Sequence, residues 1–344
     1  MLYGISVFVV GATSYNSAAC QERLAYFSGV VNDIVVPMKS PLLFEHISGD
    51  KYWAGNDWRD LQQVGYAISD NDEGMTMLAK SWKRDELVLV KQTRGISRDW
   101  NDAKLGGLPF QREHDPLIGE YAFAKVLEDM NIAPQILWIS DIGTDSVGAS
   151  RTVLEEPVGM SMREYVDSKL EVESSPLEIL EAILHIVTKG FDLIKKLHHQ
   201  GIVHGQMHWE DLVFAENEEK LNSDSVLALT DFKFATFMCH ADPNGVNSQY
   251  MFQWLPHALA MRGMGFSHDL YTFGRDWWFI LNRVMEKYPT SRIYYRVLQN
   301  LKSAFFVHHQ KLTHKMFEHL LNEYKSFMNQ FVMPRRKIAA QIRD

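Results

Sequence analysis

The chain has 344 residues, a formal net charge of −8, and a composition that is 46% hydrophobic and 23% charged. With 12% aromatic residues, that is enough apolar material for one large core or two lobes, which excludes a disordered chain. The acidic balance, with no basic stretch beyond "PRRK" at 334–337, excludes nucleic acid as an expected partner.

The N-terminus reads "MLYGISVFVVGATSYNSAAC", an apolar run from Leu2 to Ala12 followed by small polar residues. It resembles a secretory signal peptide cleaved near Ala18 or Ala19, although it lacks a basic start. Residues 1–19 are therefore expected to be a leader, with residues 20–57 an extension before the folded body. The expected location is the secretory pathway or beyond it; were the run a buried strand instead, the chain would be cytoplasmic. Cys20 and Cys239 sit in no CxxC or Cys/His cluster, and two cysteines are too few for a disulfide framework. They add nothing to this reading. No later stretch is long and apolar enough to predict a membrane span.

Further along, "QQVGYAIS", "GMTMLAKSW" and "ELVLVKQT" alternate or run short and apolar, as strands do. "IGEYAFAKVLEDMN" has helical spacing through Tyr121, Ala124 and Leu127, and "PQILWISD" and "SRTVLEEP" are again strand-like. From Pro176 a long amphipathic helix carries apolar residues at 179, 180, 183, 184, 187, 191, 194 and 197, and Gly201 closes it. Strands follow near 212–214 and 226–230, and everything from Gly265 onward reads as helix. Segments 69–75, 93–116 and 216–225 are solvated loops by composition. The order predicts an α+β protein of two lobes, with a β-rich lobe over 58–157 carrying one main helix and a larger, mostly helical lobe over 158–344. A ligand would sit in the cleft between them.

Several stretches, in order, resemble the protein-kinase-like superfamily. "LVLVK" resembles the strand whose lysine, here Lys91, reaches the ATP phosphates, and "GEYAFAKVL" the helix whose glutamate, here Glu120, pairs with it. "TVLEEP" looks like the hinge, which puts Glu155 and Glu156 beside any nucleotide, with Gly74 in the turn over the phosphates. "GIVHGQMHWED" looks like the catalytic loop, "TDFKFA" like the metal-binding segment with Asp231 and Phe232 kept, and "WLPHALA" like the segment that closes the activation loop. "HDLYTFGRDWWFIL" matches the buried large-lobe helix, with Asp269 and Gly274 in register. "HG" in place of "HR", together with the leader-like start, is similar to the secreted rhoptry-type kinases and pseudokinases of apicomplexan parasites.

The departures fall on the chemistry. Where the family places its catalytic aspartate stands Gln206, a carboxamide with no useful basicity near neutral pH. His208 replaces the lysine on the γ-phosphate, and Asp211 replaces the metal-binding asparagine while keeping an oxygen ligand suited to Mg²⁺. The phosphate-facing turn offers Asp70, Asp72 and Glu73 around the single Gly74, which repels a triphosphate. Lys233 stands where the segment after Phe232 has glycine. The residues expected to hold the frame, His204, Phe232 and Asp269, are all present.

The histidines at 198, 199, 204 and 208, and at 308, 309 and 314, show no metal-ligand spacing and are explained by the resemblance and by an amphipathic helix. Trp277, Trp278 and the Met-rich stretch 251–264 read as packing. The expectation is a pseudokinase: a kinase-like fold without catalysis, binding ATP poorly or not at all, needing no cofactor, and acting through another protein. The alternative is a divergent phosphotransferase using ATP and a divalent metal, held by Lys91, Glu120, Asp211 and Asp231, with Glu210 or a water as base.

Overall fold

The computed structural model describes residues 16–35, 61–64, 69–70, 74–81, 86–93, 116–134, 136, 138–144, 150–157, 159–172, 174–214, 221, 225–232, 235–240, 265–288, 292–307 and 312–329. Period-two alternation builds the first layer. Strands β1 (Leu61–Gln63), β2 (Ser69–Asp70), β3 (Gly74–Ser81), β4 (Glu86–Thr93), β5 (Trp138–Thr144) and β6 (Ser150–Pro157) form one antiparallel sheet in the order β1-β3-β4-β6-β5, with β2 beside β3. Met77 and Ala79 on β3 and Val88 and Val90 on β4 are buried, while Lys91 points to the other face. The register sets Lys91 opposite Leu154 and Thr76, next to the expected hinge residues Glu155 and Glu156, which lie opposite Val90 and Leu89.

Helix α2 (Pro116–Leu127) starts on a proline, whose missing N–H costs nothing at that position, and ends in a short 3₁₀ turn closed by Asn131 at φ 52°. Helices α3 (Met162–Glu171) and α4 (Pro176–His199) both open on reciprocal caps. Ser161 with Glu164, and Ser175 with Glu178, satisfy the first free N–H groups, worth about 1 kcal/mol each. The predicted long helix is α4, buried through Ile179, Ile183, Val187, Phe191, Ile194 and Leu197, and Gly201 follows it at φ 71°.

Two small ladders follow, β7 (Ile202–Val203) with β10 (Thr236–Phe237) and β8 (Leu212–Phe214) with β9 (Leu227–Leu229). Helices α5 (Phe266–Lys287), α6 (Arg292–Lys302) and α7 (His314–Phe327) complete the helical part, with a π turn at Ser303–Val307. Trp277, Phe305, Phe317 and Tyr324 are fully buried around α5. Gly274 is dictated here, because a Cβ on it would lie 2.2 Å from the Phe305 ring. Trp277 is core, as its sequence reading has it, and Trp278 is half-buried beside Phe279 and Phe306.

The N-terminal region departs from expectation. Residues Ser17–Val35 form helix α1, so the extension expected over 20–57 begins inside an ordered element, and Ala18 and Ala19 sit in its first turn. The apolar run that suggests a leader lies outside the described residues. Cys20 and Cys239, read from the sequence as contributing nothing, are joined by a disulfide across a sequence separation of 219 residues. The fold brings their Cα atoms within 6.1 Å, a distance that no count of cysteines can supply. Among the described residues, no helix is long and apolar enough to cross a membrane.

Candidate active-site cleft

Lys91 reaches from β4 to the carboxylate of Glu120 on α2, and both side chains are largely shielded, at 15% and 1% exposed. A carboxylate this deep is tolerable only with a charged or hydrogen-bonding partner, so the pair fixes α2 against the sheet. The next turn of α2 carries Phe123, which stacks toward Phe232 at 6.4 Å between ring centroids.

On the helical side, one buried carboxylate organises the loop at 202–211. Asp269, on the first turn of α5 and 0% exposed, accepts the backbone N–H of His204 at 2.8 Å, that of Gly205 at 2.8 Å and His198 Nε2–H at 2.9 Å. Burial pushes its pKa upward, but the His198 hydrogen bond and the neighbouring imidazoles outweigh it and hold the carboxyl below the usual carboxylate range. Gly205 has φ 89°, a left-handed backbone that suits glycine and that aims its N–H at Asp269.

The imidazole tautomers follow from their acceptors. Because Asp269 only accepts, His198 donates from Nε2, and its Nδ1 lies 2.7 Å from His314 Nε2. His204 donates Nε2–H to the Thr230 carbonyl at 2.8 Å, and its buried Nδ1 has no partner. Protonating that nitrogen would strand a donor, and burial lowers the His204 pKa accordingly. His204 also packs its ring on Phe232 at 5.0 Å, and Asp231 beside it adopts φ 60°, a conformation an aspartate tolerates better than most residues.

Gln206 is half-buried between these anchors, and no described residue hydrogen-bonds its side chain. His208 is anchored twice. Its N–H donates to Asp211 Oδ2 at 2.9 Å, and its Nδ1 donates to Asp276 Oδ2 at 3.1 Å, which also takes the Trp209 N–H at 3.0 Å. The Asp211 carbonyl in turn accepts the Thr230 N–H at 2.8 Å, tying the loop to the residue before Asp231. The structure therefore gathers His204, Gln206, His208, Asp211, Asp231, Phe232 and Asp269 into one neighbourhood, with Lys91 and Glu120 linked to it through Phe123. Gly74 opens β3, and Asp70 ends β2. Asp72, Glu73, Lys233, Pro256 and His257 lie outside the described residues.

Asp276, the orienting partner of His208, was missed from sequence. Its signal was available, since it stands seven residues after Asp269 and so two helical turns along the same face of α5. Among the described residues, no group of three or more His, Cys, Asp or Glu converges as metal ligands do. Asp211 and Asp231 are hard oxygen donors of the kind Mg²⁺ prefers, and one Asp211 oxygen is already engaged by the His208 N–H.

No protein-family model and no curated protein matches this sequence. Among solved structures, the chain is similar to one described as the crystal structure of BubR1 kinase domain, with a TM-score of 0.49 and 13% identity, over 92% of this chain and 94% of that one. The chain's own topology is an antiparallel sheet with a buried Lys91–Glu120 pair, beside a loop suspended from Asp269.

Proposed function

We propose that the protein is a pseudokinase, a kinase-like fold that works by binding another protein rather than by transferring phosphate. The observation that carries this reading is Gln206, which occupies the place of the proton acceptor on a loop whose frame is otherwise held by three donors to Asp269. A scaffold kept in this detail around a residue with no basicity is the expected product of selection for shape. The acidic run Asp70, Asp72 and Glu73 adds repulsion toward a triphosphate, so nucleotide affinity is low or absent. The Cys20–Cys239 disulfide supports an oxidising location, in keeping with export through the secretory pathway.

A second reading, a divergent phosphotransferase, is favoured by one arrangement. Asp276 holds His208 in the tautomer that leaves Nε2 as a proton acceptor, two residues from Gln206. In that case Lys91 would hold the phosphates, Asp211 and Asp231 would hold Mg²⁺, and the metal would neutralise charge on the phosphoryl group.

Thermal-shift titration of the whole chain with ATP and Mg²⁺ or Mn²⁺, followed by γ-phosphoryl transfer to a generic protein substrate, separates the two. A ligand at a hundred times its Kd stabilises by about 2.7 kcal/mol. The pseudokinase reading expects no metal-dependent shift at millimolar nucleotide and no transfer above background. Transfer that Asp231→Ala abolishes would overturn it, and its further loss in His208→Ala with binding intact would identify the base.

A further inference from the structure

We infer that helix α1 is an internal brace that holds α2 in place, so that the Lys91–Glu120 pair stays formed without any ligand or partner. One stripe, from the exposed cap Asn16 along α1 through Cys20, Arg23 and Phe27, has its residues four, three and four apart on one side of the helix. Each of these residues grips a different part of the molecule.

Two of them fasten α1 to the helical part. Asn16 donates its N–H to the last carbonyl of α4, at His199, over 3.1 Å, while its side chain takes the Ala19 N–H and caps α1. Cys20, 0% exposed, is bonded to Cys239. Cys239 is not a loose end, because β10 pairs with β7 just before it and the Met238 N–H donates to Gly201 at 2.7 Å.

The other two fasten α1 to α2. Arg23 donates to the Val126 carbonyl at 2.5 Å, a group the last turn of a helix leaves without an intrahelical partner. The same guanidinium forms two parallel bonds to Asp129, at 2.8 and 3.0 Å. Phe27 lies 4.6 Å from Phe123 and 5.5 Å from Phe237, and Phe123 lies 5.0 Å from Phe237 and 6.4 Å from Phe232. Four rings from α1, α2, the Asp231–Phe232 segment and β10 thus make one cluster.

Glu120 and Phe123 are three residues apart and share a face of α2. Whatever seats Phe123 in the ring cluster also aims Glu120 at Lys91. A swing of α2 away from the sheet would have to break the Arg23 contacts, open the ring cluster, or pull α1 off a covalent anchor. The covalent anchor makes the third route closed while the disulfide is intact.

The test is hydrogen–deuterium exchange on the whole chain, before and after reduction with dithiothreitol. Reduction passes two electrons and two protons from the dithiol to the Cys20 and Cys239 sulfurs, giving two thiols and a cyclic disulfide of the reagent. Exchange across 116–127 is expected to quicken by about tenfold, with 176–199 and 266–287 unchanged, as release of a local unit requires. Labelling of Lys91 by an amine-reactive ester, read by mass spectrometry, should rise in parallel because its carboxylate partner withdraws. Arg23→Ala, which keeps the disulfide and alters a partly exposed residue, should raise both signals in the oxidised protein. Unchanged exchange at 116–127 and unchanged Lys91 labelling, in the reduced protein or in Arg23→Ala, would overturn the brace. So would a uniform rise over all helices, which marks general destabilisation.

Discussion

The sheet and the helical part are each held by a buried carboxylate, and the two carboxylates work in opposite ways. On the sheet side, Glu120 meets Lys91 across an interface between two elements. On the helical side, Asp269 bonds no lysine or arginine among the described residues; it collects two backbone N–H groups and an imidazole from the loop and helix that it organises. The first arrangement is a joint between movable parts, the second a keystone inside one part. A joint can be lost with the fold intact. A keystone cannot.

That difference is measurable. Asp269→Ala should be the most damaging substitution, because it strands the His204 and Gly205 N–H groups and the His198 Nε2–H in a site with 0% exposure. A loss of about 3–5 kcal/mol is expected, read as a lower urea midpoint with unchanged slope. Lys91→Met should cost about 1–3 kcal/mol, since it removes one charged bond at an interface between two elements. Equal losses in the two variants would erase the distinction.

Acid should find the keystone before the joint. Burial, then the neighbouring His198 and Lys195, pushes His314 down to about 4, while the Asp269 charge works the other way. A histidine depressed from 6.5 in this way is neutral when folded and protonated when unfolded, so it adds stability above 6.5 that is lost as the pH falls toward 4. The shift alone corresponds to about 3 kcal/mol; His314 is only half-buried, and screening reduces the expectation to about 1–2 kcal/mol. His204 and His268 are depressed by burial too and act in the same direction. The readout is therefore a difference: Tm measured from pH 7 to pH 4.5 should fall less steeply in His314→Gln than in the parent chain.

Much of this was legible in the sequence, for physical reasons that also mark where legibility ends. The strands and α4 announce themselves through period, as in Val88 and Val90 or the stripe from Ile179 to Leu197, because burial selects side chains one face at a time. His204, Phe232 and Asp269 were marked by the resemblance to kinase-like sequences, and in the fold His204 bonds Asp269 and packs on Phe232. What spacing could not give was contact between distant elements that carry no pattern of their own. Asp276 is one acid among many until His208 is seen against it. Cys20 and Cys239 are two unremarked thiols until a chain of 219 residues brings them together. Cys20, Leu24 and Phe27 by themselves have helical spacing, directly after an apolar run that resembles a leader.

The smallest structural effect carries the sharpest functional question. Gln206→Asp replaces a half-buried side chain that no described residue hydrogen-bonds, so stability should move by no more than about 0.5 kcal/mol. The frame needs no repair, because Asp269 already positions the backbone of His204 and Gly205. If the missing base were the sole defect, this one substitution would give γ-phosphoryl transfer. Under the proposed reading a second defect is the acidic run Asp70, Asp72 and Glu73, and a new carboxylate at 206 adds negative charge to it. Gln206→Asp is therefore expected to unfold at the parent midpoint and to transfer nothing above background. Transfer by the variant would mean that the joint at Lys91 and Glu120 still receives a nucleotide, and that catalysis was lost at a single side chain.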